Sequence, residues 1–379
     1  MSANIRIHKI FPINKRATIG ENSTIDFDMS FPNRKLVCNT VRIEGRVKIF
    51  KNGTTRANIS DEIFVDNMIG ANAFFHSYET TSQARGTLEY CQDMPRHMKM
   101  IATGFNTRDD MANIANSCEL RTQNLDLSRN VFYGEVNEDM DLLPLSSNTS
   151  DGQSFSVKPY FLLNQTQRGE EGGNVNLRNA TLGDIQVSVR TARNNDALFG
   201  SDADNQISYE LSDVALTFHS LPDDGQQSKL VMRTKTVVRQ SIQSGLGAVA
   251  VNVPQLSNGV SISFLDQSKQ NSNYWNALQL ERLPNVSKVE FLINNTISEF
   301  LTFQLTNENQ ILKFYMDSLS GSKLNSFGSS IIKANEAYGI GAGFSTLLDL
   351  SSNTFGVNIN SAITSPYVCF LYFHGMITV

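Results

Sequence analysis

Apolar and polar residues alternate along much of the chain. Ile185, Val187 and Val189 alternate with Gln186, Ser188 and Arg190, and Val214, Leu216 and Phe218 with Ala215, Thr217 and His219. Val289, Phe291 and Ile293 repeat the pattern, as do the pairs Val41/Ile43 and Val47/Ile49. Successive side chains of a strand point to opposite faces, so a period of two predicts strands with one face buried. The run 368–373 is apolar throughout and predicts a strand covered on both faces. Turn pairs punctuate these segments: Asn52-Gly53, Asp151-Gly152, Gly172-Gly173, Asp224-Gly225 and Asn258-Gly259. Gly339, Gly341 and Gly343 read as one more turn, because a nucleotide loop needs a different third-glycine spacing and a following helix. Many short strands between turns predict an all-β sandwich or barrel.

Helical patterns are few. One runs over 95–116, with Pro95 suited to a first turn, a break at Gly104 and a second short piece from Asp109. Another covers 307–319, where Asn307 can cap and Ile311, Leu312, Phe314, Tyr315 and Leu319 share a face. Each follows a strand, a turn and a second strand, and each half of the chain closes on a pair of strands. This layout predicts two β-domains of related design. The polar, turn-rich stretch 221–227 separates them, and the segment 106–181 adds polar loop material to the first half.

Composition narrows the classes. A chain of 379 residues accommodates two or three domains at about 100–200 residues each. Hydrophobic residues make up 40 %, which excludes disorder. The longest apolar run near the C-terminus, 367–373, falls far short of the roughly 20 residues a membrane span needs. The net charge of −5, without a basic stripe, argues against a dedicated nucleic-acid binder. Charged residues are 18 %, below the usual ~25 %, which suits a surface that meets other protein rather than water. Cys38, Cys91, Cys118 and Cys369 lack metal-binding spacing, and no apolar leader precedes them; both features predict reduced thiols in a cytoplasmic, non-secreted protein.

Catalytic signatures are missing. The chain has no HExxH, GxSxG, Walker A or CxxC sequence. His8, His76, His97, His219 and His374 are scattered, and Asp202 with Asp204 lacks the twelve-residue calcium-loop pattern. Glu138-Asp139 and Glu170-Glu171 read as solvated loop charges. The expectation is a protein that is not an enzyme and has no catalytic, cofactor or metal residues. Two sets of residues invite contact instead. Arg6, Lys9, Lys15 and Arg16 interleave with Ile5, Ile7, Ile10, Phe11 and Ile13, with no acid before Glu21. They suit either an arm against a membrane, genome or neighbouring subunit, or an edge strand of the first sheet. Tyr274 and Trp275, in an Asn-rich loop, could hold a subunit or stack on a sugar.

Two stretches carry a family resemblance. IFVDNMIGANAFFHSYETTSQARGTLEYCQDMPRHMKM resembles the middle of a capsid jelly roll: loop, strand, tight turn, strand, short helix. YGIGAGFSTLLDLSSNTFGVNINSAITSPYVCFLYFHGMITV is similar to the closing strands of a second one. Together they resemble the double-jelly-roll major capsid proteins of adenovirus, virophages, polinton-like viruses and tailless membrane-containing phages. The likeness spans roughly 20–379, and the chain sits at the compact end of that group. The resemblance implies two tandem eight-stranded jelly rolls with short helices in the connecting loops. It places an N-terminal arm at 1–20, the first roll at 21–222 and the second at 223–379. It further implies a homotrimeric, pseudo-hexagonal capsomer tiling an icosahedral virion shell. Expected partners are neighbouring capsomers, minor capsid or penton proteins and, through the arm, an internal membrane or packaged DNA. A two-domain β-sandwich that binds glycans or a receptor is the alternative, and a carboxylate-dependent glycan lyase or hydrolase a third reading.

Overall fold

A computed structural model describes residues 4–57, 61, 63–66, 68–105, 119–120, 152–164, 176–200, 206–225, 231–243, 248–252, 256–281, 283, 286–297, 302–304, 318, 340–349, 354–361 and 363–378. Eight strands build a first sandwich: β1 (Arg6–Ile10), β2 (Thr24–Met29), β3 (Arg42–Lys51), β4 (Phe75–Ser82), β5 (Gly86–Cys91), β6 (Gln153–Val157), β7 (Ile185–Thr191) and β8 (Ser208–Pro222). Eight more build a second: β9 (Val231–Ile242), β10 (Ala248–Asn252), β11 (Leu256–Asp266), β12 (Val286–Ile293), β13 (Thr296–Ile297), β14 (Ile340–Asp349), β15 (Thr354–Ser361) and β16 (Tyr367–Thr378).

The pairing is antiparallel throughout. In the first sandwich one sheet runs β1-β8-β3-β6 and the other β2-β7-β4-β5. In the second the sheets run β9-β16-β11-β14 and β10-β15-β12-β13. Adding eight to each label of the first sandwich gives the second. In each, the first strand lies beside the last and the second beside the last but one, which is the winding of a jelly roll. Short extra strands extend the first sandwich, notably Arg34–Val37 beside the end of β8.

The alternation explains the faces. Along β7, Ile185, Val187 and Val189 are buried and Gln186 and Arg190 exposed. Phe27, Phe31, Ile43, Val47, Tyr78, Leu216 and Phe218 fill the first core with them. Val260, Ile262, Phe264, Phe291, Phe355, Leu371 and Phe373 fill the second. Each buried side chain of this size contributes about 1.5–3 kcal/mol. β16 is apolar on both faces for a specific reason. Cys369, Leu371 and Phe373 enter the second core, whereas Val368, Phe370 and Tyr372 join Met100 and Ile101 of the first half in a separate cluster.

Residues 6–10 pair with 216–220, the edge-strand alternative for this segment, and the His8 ring stacks on Phe218 at 4.5 Å. Two expectations need correction. Gly341 and Gly343 lie in β14, opposite Ser261 and Gly259, not in a turn. Gly341 is needed for close approach, since a Cβ there would collide with the Ser318 side chain. Asn258-Gly259 sits inside β11 at a register shift, a bulge that turns the strand without ending it. Asn52 (φ 51°) and Gly53 (φ 80°) do make the expected tight turn.

The first helix, α1, covers Met94–Phe105. Of the second predicted helix only Ser318 lies among the described residues, and it is helical. The piece from Asp109, Cys118, the Asp202/Asp204 loop and the paired acids at 138–139 and 170–171 lie outside them. Cys38, Cys91 and Cys369 are buried. No helix among the described residues is long and apolar enough to cross a membrane.

Candidate assembly site: a buried seam and an exposed N-terminal strip

The two sandwiches meet along a seam built from α1, β9, β16 and the loop 267–281 that follows β11. The loop reaches into the first sandwich. Asn273 accepts a backbone hydrogen bond from Gly200 at 2.9 Å, and Leu278 packs into the first core. Helix α1 is buried around most of its surface, so even its polar residues must find partners inside the protein.

They find them across the seam. Arg96, 2 % exposed, donates from Nη1 to the Gln279 carbonyl at 2.7 Å and from Nη2 to that of Ala277. Its guanidinium lies over the Phe370 ring, 4.2 Å from the centroid. Arg239 stacks on the same ring at 5.3 Å and pairs with Asp93. The Tyr372 hydroxyl donates to the Asp93 carbonyl at 2.9 Å. Asp66 accepts from Lys99 Nζ at 2.5 Å and from Asn276 Nδ2 at 2.8 Å. A cavity of about 20 Å³ beside Arg96, Arg239, His76 and Asp196 has room for one ordered water.

A second polar knot lies beneath. Glu89 accepts from the backbone N–H of Lys235 at 3.1 Å and of Leu162 at 2.6 Å. Lys235 Nζ donates to the Tyr160 carbonyl at 2.6 Å. Burial raises the Glu89 carboxyl above its usual range, against the opposing pull of Lys235. His97 packs against Tyr372 and His374, with ring centroids 5.0 and 5.5 Å away. Neither of its ring nitrogens has a hydrogen-bond partner, and burial holds its pKa well below 6.5. His374 bonds to Ser261 Oγ at 2.9 Å. None of these groups was singled out as functional from sequence. The available signal was a helix, PRHMKMIA, whose charged residues alternate with methionines.

The residues that sequence did single out fall elsewhere. Arg6, Lys15 and Arg16 are exposed, and Lys9 makes a surface ion pair with Glu44 at 3.2 Å. Ile5, Ile7, Phe11 and Ile13 are each more than half exposed, an apolar strip flanked by those cations. Tyr274 and Trp275 are half-buried in the seam loop, edge to face at 5.3 Å. The Lys269 ammonium covers one face of Trp275 at 4.2 Å. The structure thus brings Tyr274 and Trp275 beside the seam and leaves the basic residues on the N-terminal edge. Among the described residues no group of three His, Cys, Asp or Glu side chains could hold a metal ion. The arrangement holds one half of the chain to the other through buried hydrogen bonds and ring contacts.

No family model matches the chain, and no curated protein matches it in sequence. Solved structures do. The Faustovirus major capsid protein superposes with a TM-score of 0.64 at 6 % identity, over 100 % of this chain and 90 % of that one. A quasi-atomic PBCV-1 virus capsid structure gives 0.60 at 10 %, covering 100 % and 95 %. The mavirus major capsid protein gives 0.54 at 11 %, covering 98 % and 90 %. At these identities the likeness speaks to architecture, and the strand order agrees with it: the chain has the double-jelly-roll fold found in viral major capsid proteins.

Proposed function

We propose that this chain is a viral major capsid protein, non-enzymatic, that forms a homotrimeric capsomer. The observation that carries the reading is the repeat of one jelly-roll strand order in both halves, clamped by a buried seam. Two such rolls held as one block suit a shell tile: three copies would present six similar rolls, a pseudo-hexagon that packs into an icosahedral sheet. The full-length overlap with capsid proteins of Faustovirus, PBCV-1 and mavirus supports the same reading. The rolls divide at 221–227, and the protein acts in the virion after synthesis in the host cytoplasm.

The exposed strip of Ile5, Ile7, Phe11 and Ile13, with Arg6, Lys9, Lys15 and Arg16, is the proposed contact to the inner face of the shell. Its partners there are a neighbouring capsomer, a membrane or the genome. Tyr274 and Trp275 sit at the proposed subunit contact. The test is light scattering after size exclusion, followed by negative-stain microscopy of the full chain. A mass near three chains and pseudo-hexagonal particles are expected. A monomer at every concentration, with a glycan array that lights up and goes dark with Trp275→Ala, would overturn the reading.

A further inference from the structure

Asp66, Lys99 and Asn276 form an arrangement that does more than neutralise charge. Lys99 and Asp66 are on the first roll and Asn276 is on the loop of the second. Lys99 Nζ and Asn276 Nδ2 both donate to the same oxygen, Asp66 Oδ2, at 2.5 and 2.8 Å. The amine and the carboxamide nitrogen therefore lie no more than about 5.3 Å apart. The Asn276 carbonyl oxygen, Oδ1, accepts the backbone N–H of Leu278 at 2.9 Å. Asp66 is itself fixed, its Oδ1 accepting from the N–H groups of Met68 (3.0 Å) and Ile69 (3.3 Å). The Lys99 and Asp66 side chains are 1 % and 0 % exposed, and Asn276 is buried with them.

We propose that Lys99 and Asn276 join in an intramolecular isopeptide bond, with Asp66 carrying the protons, so that the first roll is bolted covalently to the second. The parts match the chemistry one by one. Lys99 passes one ammonium proton to Asp66. The Nζ lone pair then attacks Asn276 Cγ, and charge gathers on Oδ1, where the Leu278 N–H already donates. Asp66 gives its proton to Nδ2 and takes the next one from Nζ. The Cγ–Nδ2 bond breaks with its electron pair on nitrogen, and ammonia leaves. One amide replaces another, nothing is oxidised or reduced, and no co-reactant is needed. A dry site and fixed neighbours supply the proximity that makes so slow a reaction feasible within one chain. The inference does not depend on the capsid reading.

The test is the intact mass of the purified full chain under denaturing conditions. The wild type is expected to be lighter than its sequence by one ammonia, about 17 Da. Tryptic digestion should leave Lys99 uncut, in a branched peptide that also contains Asn276. Lys99→Arg and Asn276→Ala should each show the full sequence mass. A folded wild-type chain at full mass would overturn the proposal, as would an ammonia loss mapped to any other asparagine. The decisive reading is on the wild type, so a variant that fails to fold leaves the test intact.

Discussion

Arg239 of the second roll grips the Asp93 carboxylate of the first, Nε to Oδ2 at 2.6 Å and Nη2 to Oδ1. The two ends of this pair are unequally buried: the Asp93 side chain is 8 % exposed and that of Arg239 38 %. Removing the arginine strands a buried charge, while removing the carboxylate leaves an arginine that water can reach. Breaking a fully buried pair costs about 3–5 kcal/mol, and the exposure of Arg239 reduces that. Arg239→Ala should therefore cost about 2 kcal/mol and Asp93→Asn about 1 kcal/mol, the asparagine tolerating the left-handed backbone there (φ 51°). Urea unfolding of both variants checks the order; equal losses would contradict it.

His97 makes the seam sensitive to acid. Its folded pKa lies below the unfolded value of 6.5, mainly through burial and also through Lys235 and His374. A group of this kind contributes its full stability above the unfolded pKa, and the contribution is lost as pH falls below about 6.5. The melting temperature of the wild type should fall more steeply between pH 6.5 and pH 5 than that of His97→Phe. The slope attributable to this one proton is at most about 1.4 kcal/mol per pH unit. Parallel curves for the two proteins would show that His97 does not titrate on unfolding.

Much of the fold was legible because a sandwich writes its faces locally: Ile185, Val187 and Val189 announce their strand without reference to anything distant. The apolar run 368–373 was legible too, though not what covers it. One face meets Met100 and Ile101, more than 250 residues away in sequence. The seam was illegible for the same reason. Arg96 bonds to carbonyls some 180 residues on, and Asp66 to a side chain 210 residues on. No local pattern reports which distant backbone a buried charge will reach. Glycine in β14 misled because a close approach and a turn use the same residue for different reasons.

That close approach can be tested directly. A Cβ at Gly341 would meet the Ser318 side chain and lie 2.8 Å from the Val260 carbonyl oxygen. Gly341→Ala should cost about 1–3 kcal/mol through overpacking. Adding Ser318→Gly should recover only part of the loss, because the carbonyl clash remains. A thermal melt of the single and double variants reads both outcomes. Full recovery would place the whole strain on Ser318.

Phe370 and Leu371 are neighbours in sequence on opposite faces of β16, and their truncations should fail differently. Leu371→Ala opens a hole in the second core and should cost about 2–5 kcal/mol, lowering the stability of that roll directly. Phe370→Ala removes the ring that Arg96 and Arg239 share and empties the cluster with Met100 and Ile101. Its cost, about 3–5 kcal/mol, falls on the contact between rolls, since the second core does not contain it. If the seam is what makes the two rolls unfold together, Phe370→Ala should split one cooperative calorimetric transition into two. Leu371→Ala should shift the transition without that split. Limited proteolysis gives an independent reading: Phe370→Ala should expose the 221–227 connection to cleavage while each roll survives. A single transition in both variants would show that the rolls are coupled by something other than this face of β16.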